Sequence, residues 1–141
     1  MIRGNAGDDS ITAGAVLEST EIGDNDFFAM YHYLYGDGGN DRMWGEDRTV
    51  DQKMWGGEGH DYLKGGNDTT EQYLFGNDGN DEILPGSMAK TKVVAKGGKG
   101  WDLINDYNGE DFSEYNLEEE FWGGDGEDVI WGGYRTGYGA E

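Results

Sequence analysis

Apolar residues return along this chain at a spacing set by glycines, not by a helical period. Ile11, Met43, Leu63, Ile83, Ile104 and Ile130 each stand four residues after a Gly and two after an Asp. A second series, Ile2, Leu34, Met54, Leu74, Ala95 and Phe121, each stands two residues before a Gly. Around both series the alternation has period two, which predicts short strands with one face inward. Those leading glycines fall at 4, 36, 56, 76, 97 and 123, at intervals of 32, 20, 20, 21 and 26. A fixed period of this size indicates a solenoid, whose coils must stack to bury a core.

Each coil of about 20 residues reads as two Gly-rich turns and two short strands. Tyr62-Leu63-Lys64 is a first strand, Gln52-Lys53-Met54-Trp55 and Gln72-Tyr73-Leu74-Phe75 are second strands, and turns fall at Gly45 and Gly65. The expected architecture is all-β: a right-handed parallel β-roll, or β-solenoid, of about six coils. Residues 1–141 form one domain, with insertions near 14–33 and 105–117. The insertions carry the acidic stretches Gly23-Asp24-Asn25-Asp26 and Asn105-Asp106-Tyr107-Asn108-Gly109-Glu110-Asp111, read as solvated loops. The two apolar series form a thin core of two stacks. One residue further on, Arg3, Tyr35, Trp55, Phe75, Lys96 and Trp122 form an outward column whose rings stack and stiffen the sheet. A carbohydrate or surface partner on this aromatic column is the second reading.

The turn before the first strand is the most regular part of the coil. Gly56-Gly57-Glu58-Gly59-His60-Asp61-Tyr62-Leu63 recurs, with changes, at Gly4–Ile11, Gly36–Met43, Gly76–Ile83, Gly97–Ile104 and Gly123–Ile130. Gly is kept at the first position (Gly4, Gly36, Gly56, Gly76, Gly97, Gly123) and at the fourth (Gly7, Gly39, Gly59, Gly79, Gly100, Gly126). Asp is kept at the sixth: Asp9, Asp41, Asp61, Asp81, Asp102 and Asp128. The phrase resembles the nonapeptide of the RTX (repeats-in-toxin) calcium-binding family. That resemblance implies several Ca²⁺ ions between stacked turns, each taking ligands from both. Calcium takes 6–8 oxygen ligands. The six Asp carboxylates and the carbonyls of the twelve glycines are the expected set. Glycine lets the backbone reach φ > 0 and leaves the ion's approach open. The second position holds Asn5, Asp37 and Asn77 in three copies. These turns are distorted if only Gly fits there, and tolerated if Asn and Asp visit the left-handed region. The fifth position varies, so His60 and Trp101 are neighbours of the sites.

The second half of each coil is a worn copy of the motif. Where Asp is expected, two residues before the inward apolar one, stand His32, Gln52, Gln72, Val93 and Glu119. Calcium is therefore expected along one edge only. Gln52 stacked on Gln72 offers a neutral amide ladder on the other.

Charge changes the picture from a fold to a conditional fold. The chain has 30 acids against 10 bases, a formal net charge of −20, and 35% hydrophobic residues. Such a balance leans toward disorder, yet 5 Trp, 9 Tyr and 5 Phe are present. Stacked Asp columns about 4.8 Å apart repel by roughly 3.5 kcal/mol per neighbour pair at an effective dielectric of about 20. Six Ca²⁺ would bring the −20 to about −8. The expectation is a chain that calcium folds.

The remaining chemistry is thin. The charge disfavours nucleic acid, and no apolar run is long enough to span a membrane. His32 and His60 lack metal-ligand spacing. No Ser, His and acid cluster is recognisable, Cys is absent, and Gly98-Lys99-Gly100 is not a phosphate loop. No enzyme is expected. The leading reading is a calcium-binding structural protein that assembles head-to-tail with itself into an extracellular filament or surface layer. The alternative is a calcium-binding RTX segment of a larger secreted toxin, protease or adhesin, and a third is a soluble calcium buffer. Met1-Ile2-Arg3 runs directly into the first repeat, so no cleaved signal peptide is expected, and export by a one-step exporter fits. Neither end of the repeat array shows a cap, and a second copy after Glu141 would continue the array at an interval of 22, within the internal range.

Overall fold

The computed structural model describes residues 1–13, 31–87, 89–106 and 117–132. The insertion stretch Gly23–Asp26, most of the second insertion and the segment Tyr134–Glu141 lie outside the described residues. Twelve strands alternate between two parallel sheets, and no helix occurs among the described residues.

One sheet runs β1 (Ile2–Ala6), β3 (Tyr31–Gly38), β5 (Asp51–Glu58), β7 (Glu71–Asp78), β9 (Lys92–Lys99), β11 (Glu118–Asp125). The other holds β2 (Ser10–Thr12), β4 (Arg42–Trp44), β6 (Tyr62–Lys64), β8 (Glu82–Leu84), β10 (Leu103–Asn105) and β12 (Val129–Trp131). Each strand pairs in parallel with its counterpart one coil away, so the chain is a parallel β-roll.

Both apolar series stack in register. Leu34 faces Met54, Met54 faces Leu74, and Leu74 faces Ala95. Met43 faces Leu63, and Leu63 faces Ile83. Leu34, Met43, Met54, Leu63, Leu74, Ile83, Ala95 and Ile104 are fully buried. Each large aliphatic side chain so buried contributes roughly 1.5–3 kcal/mol. The core is two residues wide per coil, so its burial depends on neighbours above and below. On the first and last coils Ile2 is 41% and Ile130 43% exposed.

The long strands differ from expectation. All but the five-residue β1 span eight residues and run on into the conserved turn, because its first positions keep pairing across coils: Gly57 with Asn77, and Glu58 with Asp78. The outward column is in register too. Tyr35 and Trp55 stack at 4.5 Å and 3°, and Trp55 and Phe75 at 5.8 Å and 24°. Arg3 lies 4.7 Å over the Tyr35 ring, and Lys96 Nζ lies 5.7 Å from the Trp122 ring. The ring faces at the centre of this column meet one another along the roll axis.

This packing sets a test of the inside–outside register. Leu63→Asp should destabilise the calcium-loaded roll by on the order of 4 kcal/mol, through an unpaired buried charge. Lys64→Asp, on the exposed side of the same strand, should change thermal stability by no more than about 0.5 kcal/mol. Melts that rank the two the other way would shift the register by one residue.

Candidate metal centre

The six conserved Asp residues line one edge of the roll, immediately before β2, β4, β6, β8, β10 and β12. The turn beneath them needs a left-handed backbone at two positions. At the second, Asn5, Asp37 and Asn77 take φ of 82°, 75° and 82°, where Gly57, Gly98 and Gly124 lie near 120–128°. All six keep the same cross-coil register. Asn and Asp enter this region more readily than other side chains, so these turns are tolerated. At the fourth position Gly is required twice over. Gly79 has φ 143°, and a Cβ there would collide with the carbonyl oxygen of Gly59 one coil away.

The first-position glycine makes room for the carboxylate. In every copy the Asp Oδ2 folds back over this glycine's Cα. A Cβ on Gly36 would strike both Asp41 Oδ2 and the carbonyl oxygen of Gly56 in the next coil. The same pair of oxygens recurs beside Gly4, Gly56 and Gly76. These four turns thus bring a carboxylate oxygen and the next coil's carbonyl oxygen together.

The two carboxylate oxygens have different fates. Oδ1 accepts the backbone N–H of the Asp one coil earlier: Asp9 to Asp41 at 2.8 Å, Asp41 to Asp61 at 2.8 Å, Asp61 to Asp81 at 2.8 Å. Asp81 to Asp102 (2.9 Å) and Asp102 to Asp128 (3.0 Å) complete the ladder. Oδ2 of Asp9, Asp41, Asp61, Asp81 and Asp102 is buried and has no hydrogen-bond partner. The side chains of Asp41, Asp61, Asp81 and Asp102 are at most 3% exposed. Ion pairs among the described residues lie elsewhere: Arg3–Asp37, Lys53–Asp51, Lys90–Asp68, Lys92–Glu120 and Lys99–Asp78.

Burial pushes these carboxyls up. Desolvation raises Asp61 to about 6 and Asp81 to about 7, with backbone hydrogen bonds opposing and neighbouring Asp charges adding. Asp41 and Asp102 are raised for the same leading reason. A buried anion with one bare oxygen is unstable unless a cation or proton meets it. No group of three or more His, Cys, Asp or Glu side chains converges among the described residues. A cation here would instead take one carboxylate oxygen per turn together with backbone oxygens, an all-oxygen set suited to a hard ion.

Sequence reasoning missed a second ladder at the fifth position. Asp8 Oδ1 accepts the N–H of Asn40, Asn40 Oδ1 that of His60, His60 Nδ1 that of Asn80, and Asn80 Oδ1 that of Trp101, all at 2.8–2.9 Å. His60 is therefore more than a neighbour of the site. The signal was present, since three of these acceptors are Asp or Asn, but a His among them hid it. These side chains line a groove along the Asp edge.

The opposite edge corrects another expectation. Gln52 and Gln72 are in register, but their amides bond to turn backbones and not to each other. No amide ladder forms, because each glutamine folds back toward the turn of its own coil.

The family described as RTX calcium-binding nonapeptide repeat (4 copies) matches residues 1–15, 33–47, 53–69, 73–87 and 119–134, more than half of the chain. Each matched segment contains one copy of the turn. The copy at Gly97–Ile104 falls outside them, yet its Asp102 continues the ladder in register. No curated protein and no solved structure matches the chain.

The raised carboxyls fix a pH dependence. Their folded values lie above the unfolded value of about 3.9, so in chelator the fold is favoured below that value and loses stability as pH rises through 6 and 7. With calcium the sign reverses, since only the ionised carboxylate binds the ion. Circular dichroism from pH 4 to 8, with chelator and with calcium, should show opposite slopes.

Proposed function

The chain belongs to the family of RTX calcium-binding nonapeptide repeats, and from that premise we propose a structural protein that Ca²⁺ folds and that assembles head-to-tail with itself outside the cell. The observation that carries the calcium part is the Asp column, in which buried Asp41, Asp61 and Asp81 each hold one bare oxygen beside a backbone carbonyl of the next coil. Asp9, Asp41, Asp61, Asp81, Asp102 and Asp128 are the proposed side-chain ligands, helped by carbonyls of the conserved glycines. The ions cancel repulsion between stacked carboxylates and so permit the thin core to close. Sites that fill at millimolar calcium suit an extracellular setting. No described helix is long and apolar enough to cross a membrane.

The assembly part rests on the one-way ladder. Each Asp from Asp9 to Asp102 donates its N–H to the next coil's Oδ1, so the N–H of Asp128 and the Oδ1 of Asp9 are the two ends of the described series. A second copy placed after the last coil would join them. Trp122 and Trp131 on that coil are 59% and 63% exposed, and Ile2 on the first coil is also partly open. Such a contact does not close on itself and produces a fibre. Six coils at about 4.8 Å give a rise of roughly 29 Å per subunit.

Two measurements test this reading. Asp61→Ala should raise the calcium concentration needed for folding several-fold. Asp68→Ala, on the opposite edge and paired with Lys90 at 3.0 Å, should leave it nearly unchanged; equal titrations would refute the ligand assignment. Negative-stain electron microscopy in millimolar calcium should show filaments that chelator dissolves. A compact monomer at high concentration would instead favour a calcium-binding segment of a larger secreted protein.

A further inference from the structure

The edge of the roll away from the Asp column is built on the same plan and filled differently. Its turns also place glycines where a folded-back side chain and neighbouring backbone leave no space for a Cβ. A Cβ on Gly45 would strike the Gln52 amide, and one on Gly65 the Gln72 amide. Gln52 and Gln72 hold the position that Asp holds on the other edge, two residues before the inward Met54 and Leu74. Both are fully buried.

Each of their polar side-chain atoms has a partner. Gln72 Oε1 accepts the N–H of Gly86 in the next coil at 2.9 Å, while Nε2 donates to the Gly66 carbonyl and to Thr69 Oγ1. Gln52 Oε1 accepts the N–H of Gly66 at 2.8 Å, and Nε2 donates to the Glu46 carbonyl at 3.2 Å. On the Asp edge one oxygen accepts an N–H from an adjacent coil and the other is bare. On the Gln edge one atom accepts an N–H from an adjacent coil and the other is itself a donor, aimed at a turn carbonyl.

We infer that the Gln52 and Gln72 amides replace a cation in these turns: each NH₂ group occupies the turn carbonyl of its own coil that an ion would otherwise use and keeps calcium out, while Oε1 clamps the next coil. The inference rests on the calcium reading of the other edge. A carboxamide carries no net charge, so stacking it adds no repulsion, and it meets donor and acceptor at once. A carboxylate of equal length would keep the acceptor and lose the donor, leaving one bare oxygen against the Gly66 carbonyl, as at Asp81. One atom per turn therefore decides whether the edge takes an ion. The outer acid of this turn, Asp68, is already paired with Lys90.

The test compares Q72M and Q72E with the parent, counting bound calcium by equilibrium dialysis and following thermal melts at saturating calcium. Q72M has similar volume and no amide. It should bind as many ions as the parent and melt about 10 °C lower, from the loss of buried hydrogen bonds. Q72E should bind one ion more than the parent. Fewer ions in Q72M would make the amide oxygen a ligand and overturn the inference. So would an unchanged melting temperature in Q72M, or an unchanged ion count in folded Q72E. If Q72E does not fold, Q72M alone decides. A parent that binds no calcium would sink the calcium reading, and the Q72M melt would still judge the clamp.

Discussion

Buried carboxylates stacked one strand spacing apart are the constraint that the rest of this structure answers to. Each coil places an Asp over the Asp of its neighbour, and each of these side chains gives only one oxygen to the protein. The backbone N–H that reaches Oδ1 fixes the carboxylate's orientation and the coil-to-coil register together. The second oxygen is left to be met by a proton or a cation. The fold is thus conditional on its solution: at the pH where the acids ionise, the same contacts that align the coils push them apart.

The roll meets this by building its two edges from one geometry with different fillings. A turn glycine makes room for the folded-back side chain on both edges, at Gly56 for Asp61 and at Gly65 for Gln72. A carboxylate at Asp61 leaves one buried oxygen without a protein partner. At Gln52 and Gln72 on the other edge a carboxamide is neutral and finds both an N–H and a carbonyl in the turns.

The outer face of the long-strand sheet carries the complementary devices. Rings stack along the axis at Tyr35, Trp55 and Phe75, with Arg3 and Lys96 set against rings toward the two ends of the same column. Beside it Lys53 lies between the rings of Tyr33 and Tyr73 and pairs with Asp51 at 2.8 Å. Arg3, Lys53 and Lys96 thus join rings of neighbouring coils, and Lys99 pairs with Asp78 one coil away. These contacts supplement a core only two side chains wide.

The sequence by itself determined the coil. Its glycine spacing set the period, and period-two alternation identified Leu63 as inside and Lys64 as outside. The recurrence of Asp61 and its counterparts placed a column of carboxylates along one edge. Those features repeat, and repetition turns a local pattern into a stacked one without knowledge of distances. Tertiary structure alone decided what each side chain does across the gap between coils. Gln52 and Gln72 read as a worn motif, yet they reach turn carbonyls and the next coil's N–H groups. His60 read as a variable position, yet it accepts the N–H of Asn80. Asn5, Asp37 and Asn77 read as departures, yet they share the left-handed backbone of the glycines they replace. The physical reason is common to all three. A one-dimensional pattern records which residue follows which, whereas a hydrogen bond between coils depends on side-chain reach and donor direction about 4.8 Å away along the axis.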